Sequence, residues 1–332
     1  MKTGFCKYTT KQPDSVLLFT TTVLLLLFVR LRVNFTILLG DRLFPYGGYI
    51  QILLMSFFAV WIYNKLNNPT YYALYRKRLW LLFCFWFFLQ FLLGIWVSDI
   101  FLLTGKLHFP FPFMIVSGAA YRTEIGFMII LFLVTILLSG SAWCSHLCYF
   151  GGFDSWASGN KYKKRQWIIP IQWGVKLSVL FLSVLFPILF LITETDIRSI
   201  ITVIIMAGFT EIAIMLFISR QQKRMVHCTW FCPIGTIVAI TKFINPLRIR
   251  FNNNCTHCGK CIPACKYNAI TPESIRQQKF HLTCTRCGDC KASCPHNAIE
   301  YQYNGISPSL SHRIFLITVS ILYVLFFSLA RI

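Results

Sequence analysis

Cys255-Thr256-His257-Cys258-Gly259-Lys260-Cys261-Ile262-Pro263-Ala264-Cys265 and Cys284-Thr285-Arg286-Cys287-Gly288-Asp289-Cys290-Lys291-Ala292-Ser293-Cys294 carry one spacing twice, C-x2-C-x2-C-x3-C. An iron-sulfur cube needs four thiolates, and this spacing draws three from one tight turn while the fourth reaches a different cube. Two copies therefore predict two [4Fe-4S] clusters. Cysteines this dense could also form disulfides in a secreted domain, and C-x2-C pairs bind zinc. Neither accounts for a third cysteine at x2 and a fourth at x3, repeated.

The stretch closely resembles the bacterial two-cluster ferredoxins. The resemblance implies crossed ligation: Cys255, Cys258, Cys261 and Cys294 for one cluster, and Cys284, Cys287, Cys290 and Cys265 for the other. Gly259 and Gly288 sit where the turn needs a residue without a Cβ, and Asn268-Ala269-Ile270 is echoed by Asn297-Ala298-Ile299. One position departs from the pattern. Pro295 follows the second copy as the motif expects, but Lys266 takes the equivalent place in the first, which alters backbone stiffness near Cys265 without touching the ligand.

The rest of the chain excludes a soluble protein. Of 332 residues, 56% are hydrophobic and 13% charged. A net charge of +21 in a soluble chain would suggest nucleic acid, but here the lysines and arginines lie between apolar runs, so their expected partner is the lipid bilayer. Most of the 14 cysteines fall in cluster motifs, which argues for a reducing compartment.

Seven apolar runs, at 15–29, 48–63, 79–103, 125–143, 167–192, 200–219 and 314–329, are read as membrane-spanning helices. Lys2, Lys7 and Lys11 precede the first, and no small-residue cleavage site follows it. Lys65 and Arg76 to Arg78, Lys161 to Arg165, and Arg220 to Arg224 fall on one side, which the positive-inside rule makes cytoplasmic. The charge-poor stretch 104–124, with His108-Phe109-Pro110-Phe111-Pro112-Phe113, is expected as an interfacial loop on the outer face. The stretch 233–251 is expected to lie on the membrane surface. The expected fold is thus a mainly α-helical, polytopic inner-membrane protein of about seven spans, with an inserted α+β ferredoxin-like domain on the cytoplasmic side. Its expected domains are a two-span hairpin (1–78), a duplicated four-span core (79–251), the ferredoxin (252–303) and a last helix (304–332).

The duplication rests on a second motif. Trp143-Cys144-Ser145-His146-Leu147-Cys148-Tyr149-Phe150-Gly151 and His227-Cys228-Thr229-Trp230-Phe231-Cys232-Pro233-Ile234-Gly235 both read C-x3-C, 84 residues apart, each after an apolar run. Residues i and i+4 share a helix face, so Cys144, Cys148, Cys228 and Cys232 can converge on a further metal or cluster. Paired disulfides or plain packing are the alternatives. Cys6 and Cys84 stand alone and read as packing residues, and His146 and His227 flank the motifs as weak further ligand candidates.

Together these motifs resemble the membrane polyferredoxin family of the NapH, NosR C-terminal half and CcoG type, over roughly residues 79–301. The family's C-x3-C-P is met fully only at Cys228 to Pro233, because Tyr149 replaces the proline in the first copy. The resemblance implies electron transfer between the cytoplasmic side, a quinone pool and an extracytoplasmic acceptor, with redox proteins and a quinone as partners. The residues themselves supply placement and potential and no bond chemistry, so no catalytic residue is assigned. Lys260, Lys266, Lys279, Arg286 and Lys291 near the clusters would favour an acidic partner. The alternative is a copper-handling or metal-reducing assembly factor, since thiolates also select Cu(I).

Overall fold

The computed structural model describes residues 12–33, 36–102, 109–123, 127–159 and 169–329. Lys2, Cys6, Lys7, Lys11, His108 and the basic residues at 161–165 lie outside them. Among the described residues seven helices are long and apolar enough to cross a membrane: Pro13–Arg32, Gly47–Leu66, Tyr72–Trp96, Ile129–Ala157, Ile171–Ile192, Ile197–Gln222 and Pro308–Leu329. The chain divides into two compact units, Met1–Pro110 with Tyr301–Ile332, and Phe111–Glu300.

In the first unit the polar groups inside apolar helices are satisfied locally. Thr22, Ser56 and Ser320 each donate a hydroxyl to the carbonyl four residues back, at 2.7, 2.8 and 2.8 Å. The buried Asp14 carboxylate accepts from Tyr63 Oη and Arg313 Nε, both at 2.9 Å, and so ties three helices at one point. The third apolar helix starts at Tyr72 and not at residue 79. No glycine or proline interrupts 72–93, so the helix takes in the basic cluster, and Arg76 is buried with its guanidinium 5.3 Å from the Trp80 ring.

The second unit holds three of the apolar helices and both cysteine motif pairs. The fourth apolar helix is interrupted at Gly140, which has φ +59°, before the short helix Trp143–His146 and then Tyr149–Ala157. One expectation is overturned here. The described part of 104–124 contains a helix, Met114–Arg122, that packs on the fifth apolar helix through Ser117 Oγ, which donates to the Ser183 carbonyl at 2.7 Å. Phe111 beside it covers Gly208 so closely that a Cβ there would collide with the ring. The prolines do end regular structure, but only up to the residue before this helix. The stretch 233–251 is partly packed inside the unit, while Ile240, Phe243 and Ile244 stay exposed. Helix Pro233–Ile240 buries Ile234, Val238 and Ala239, and β1 (Leu247–Phe251) pairs with β2 (Ile299–Tyr303) in the small sheet of the ferredoxin. An alternating Lys/Arg pattern looks amphipathic in sequence, yet Lys242 turns inward with the apolar residues.

Candidate iron-sulfur sites

The ferredoxin stretch repeats itself in backbone as well as in sequence. Left-handed φ values occur in matched pairs: His257 at 56° with Arg286 at 54°, Gly259 at 72° with Gly288 at 81°, and Asn268 at 52° with Asn297 at 49°. Glycine and asparagine tolerate this region, so each loop turns back tightly enough to aim successive cysteines inward. The fourth cysteine of each copy is held the same way: Cys265 Sγ accepts from Ala269 N at 3.2 Å and Cys294 Sγ from Ala298 N at 3.4 Å. Ile270, Ile275 and Ile299 pack with Cys261 and Cys290 as the core between the loops.

Two cavities follow. One, of about 310 Å³, is lined by Cys255, Cys258, Cys261 and Cys294; the other, of about 290 Å³, by Cys265, Cys284, Cys287 and Cys290. Each set contains three cysteines of one copy and the fourth of the other, the arrangement expected for crossed ligation. Burial pushes the Cys261 and Cys265 thiols up to about 11, and it raises Cys290 as well. The backbone N–H of Lys260 holds the exposed Cys258 down. Ligation needs thiolates, so loading iron into these sites releases protons.

The C-x3-C pairs are also structural duplicates. Cys148 N reaches back to the Trp143 carbonyl at 3.1 Å and Cys232 N to the His227 carbonyl at 3.0 Å, in both cases a wide five-residue turn. That turn swings the second cysteine into extended backbone, φ −77°, ψ 115° at Cys148 and φ −78°, ψ 116° at Cys232, where each N-caps the next helix. The thiols accept from Gly151 N at 3.4 Å and Gly235 N at 3.3 Å. Asp154, fully buried, accepts from Cys228 N at 3.0 Å and so links the first repeat to the second.

All four cysteines, Cys144, Cys148, Cys228 and Cys232, line one cavity of about 480 Å³. Its wall also contains Lys176, Lys242, Trp143, Thr283 and Thr285. Trp143 Nε1, Thr283 Oγ1 and Thr285 Oγ1 are buried without a hydrogen-bond partner, and such donors are costly unless something accepts from them. The sulfurs of a cube are suitable acceptors, so the residues present fit an iron-sulfur group. A tetrahedral ion with bonds of about 2.3 Å needs its sulfurs within roughly 4 Å of one another. Among the described residues no three His, Cys, Asp or Glu side chains are grouped for a single metal ion, in this cavity or in the ferredoxin.

The ferredoxin is docked directly onto this cavity. Ser141 Oγ donates to the Cys284 carbonyl at 3.0 Å, Ser145 Oγ to the Thr285 carbonyl at 3.1 Å, and Arg286 donates to Asn245 Oδ1 at 2.8 Å. Cys284, Thr285 and Tyr267 line both this cavity and the second ferredoxin cavity, so the two share a wall. Lys266, the residue in place of proline, donates to Ser158 Oγ at 3.1 Å and to the Gly159 carbonyl. The departure from the ferredoxin pattern thus anchors the module.

Of the basic residues near the clusters, Lys260 and Lys279 are exposed, while Arg286 is buried and engaged within the unit. The flanking histidines do not line any of these cavities. His146 Nδ1 lies 3.1 Å from Ser145 Oγ and 3.1 Å from the Ala142 carbonyl. His227 is fully buried, and burial pushes it down to about 3, so the ring is neutral. Sequence reasoning passed over Lys176 and Asp154. A lone ionisable residue within an apolar run was the available signal.

Comparison with known proteins agrees with this layout. A 4Fe-4S binding domain model matches twice, at residues 123–170 and 201–249, each match holding one C-x3-C motif; a 4Fe-4S dicluster domain model matches residues 254–299. These matches support iron-sulfur clusters in the second unit. The chain is also 28% identical over 160 residues to a protein of Escherichia coli (strain K12) named "Putative electron transport protein YccM". That match covers 42% of this chain and 44% of YccM, less than half of either. No solved structure matches the chain.

Proposed function

We propose that the protein is a membrane-bound iron-sulfur electron carrier that passes single electrons between a cytoplasmic or quinol donor and an acceptor in or beyond the membrane. Its cysteines form three ligand sets: Cys255, Cys258, Cys261 and Cys294; Cys284, Cys287, Cys290 and Cys265; and, for a third cube, Cys144, Cys148, Cys228 and Cys232. Each cube, when bound, supplies reversible one-electron oxidation and reduction. The chain holds the sets in order. The observation that carries this reading is the wall shared by the second and third cavities at Cys284, Thr285 and Tyr267. The name of YccM and the apolar helices support a role in membrane electron transport.

The orientation is inferred from charge. Counting apolar runs along the sequence puts Arg76 to Arg78, the basic stretch 161–165 and Arg220 to Arg224 at equivalent ends, which the positive-inside rule makes cytoplasmic, with the ferredoxin on that side of the inner membrane. Exposed Lys260 and Lys279 suit an acidic redox partner.

The test is reoxidation of dithionite-reduced protein by a soluble quinone, followed through visible absorbance under argon. Wild type reoxidises rapidly, whereas Cys228→Ser keeps both ferredoxin cubes and reoxidises at least tenfold more slowly. Equal rates would remove the third site from the route.

A further inference from the structure

Two buried lysines line the membrane-core cavity. Lys176 stands in the fifth apolar helix, 2% exposed, with its ammonium 5.3 Å from the Trp173 ring. Lys242, also buried, follows helix Pro233–Ile240 and donates to the Leu282 carbonyl. Among the described residues neither forms an ion pair with a carboxylate. A buried ammonium without a counter-charge tends to shed its proton, so an anionic occupant of the cavity is what would keep these two lysines charged.

The positions fit that role. Lys176 lies within electrostatic reach of Cys232, Cys144 and Cys228, and Lys242 of Cys284 and Cys144, with Arg286 and Lys176 as further positive groups beside it. A cube held by four thiolates is negative and gains one further negative charge on reduction, so fixed positive charge beside it favours the reduced form most. Burial keeps this effect unscreened. At the first ferredoxin cavity the matching lysine, Lys260, is exposed, and so is Cys258, so water weakens any such effect there.

We propose that Lys176 and Lys242 are the charge-compensating residues of the third site: they retain its anionic cube and raise its reduction potential, with Lys176 contributing more because it faces three of the four cysteines. This rests on the reading that the C-x3-C cysteines hold a cube.

The experiment is a redox titration of the anaerobically purified full chain, followed by electron paramagnetic resonance and paired with iron analysis, for wild type, Lys176→Met, Lys176→Arg and Lys242→Met. Wild type should carry about twelve irons from three cubes. In Lys176→Met one of the three cube signals should need at least tenfold stronger reducing conditions, a fall of about 59 mV for one electron, with the other two unmoved. Lys176→Arg should titrate near wild type, and Lys242→Met should shift the same signal by less. If Lys176→Met loses about four irons and Lys176→Arg keeps them, the charge is needed for retention and the proposal stands. Twelve irons with an unchanged titration in Lys176→Met would overturn the lysine role while leaving the cube intact. About eight irons in wild type would overturn the cube reading and the lysine role with it.

Discussion

Ser141 Oγ donates to the Cys284 carbonyl at 3.0 Å, joining the turn that ends an apolar helix to the first cysteine of a ferredoxin loop. The two residues are far apart in sequence, and the bond fixes the loop against the membrane core. A single neutral hydrogen bond contributes about 1 kcal/mol net. Ser141→Ala should therefore leave iron content unchanged and speed amide hydrogen exchange across residues 284–287 roughly fivefold. Unchanged exchange would mean that the docking is carried by Ser145 and Arg286 alone.

The C-x3-C cysteines should act as one site. Cys144→Ser and Cys232→Ser should each keep the two ferredoxin cubes and each abolish most quinone-linked reoxidation. The double variant should be little worse than either single one, because residues of one site act as a unit. Rates that fall additively would argue for two independent structural positions.

Gly140 and Gly305 make a controlled pair. Both have positive φ, +59° and +77°, but a Cβ on Gly140 would collide with the Arg286 guanidinium and lie 2.9 Å from Asn245 Oδ1, whereas Gly305 has open space. Gly305→Ala should cost only backbone strain, about 1–2 kcal/mol. Gly140→Ala should cost more and also free the ferredoxin from Asn245, read as faster limited proteolysis after Arg286. Equal costs would contradict the docking geometry.

Local chemistry was legible in the sequence, and the packing of distant segments was not. The spacing of Cys255 to Cys294 fixes which sulfurs can meet, because the loops are short and self-contained, and the cavities group those sulfurs as the spacing expects. The convergence of Cys144, Cys148, Cys228 and Cys232 was also readable, since a repeated motif after a repeated helix implies equivalent positions. The helix at Met114–Arg122 was missed because the prolines bar regular structure only up to Phe113, and Lys242 was misread for a different reason. Periodicity reports which residues are apolar but not what a polar one faces once helices pack, so a lysine aimed into a cavity looks the same as one aimed at lipid headgroups. Lys266 shows the same limit: a missing proline reads as a loss of stiffness until Ser158 and Gly159 are beside it.

The orientation has a direct check. Reporter fusions after Lys164 and Tyr301 should both be active only as cytoplasmic reporters, and one after Thr195 only as an extracytoplasmic one. A cytoplasmic signal at Thr195 would reverse the proposed direction of access.

The central claim, that one compact unit holds three cubes in sequence, is tested most directly by iron and sulfide analysis with Mössbauer spectroscopy of protein purified without oxygen. Wild type should give about twelve irons per chain in cubane environments, falling to about eight in Cys228→Ser. Zinc in place of iron, or about eight irons in both proteins, would contradict it.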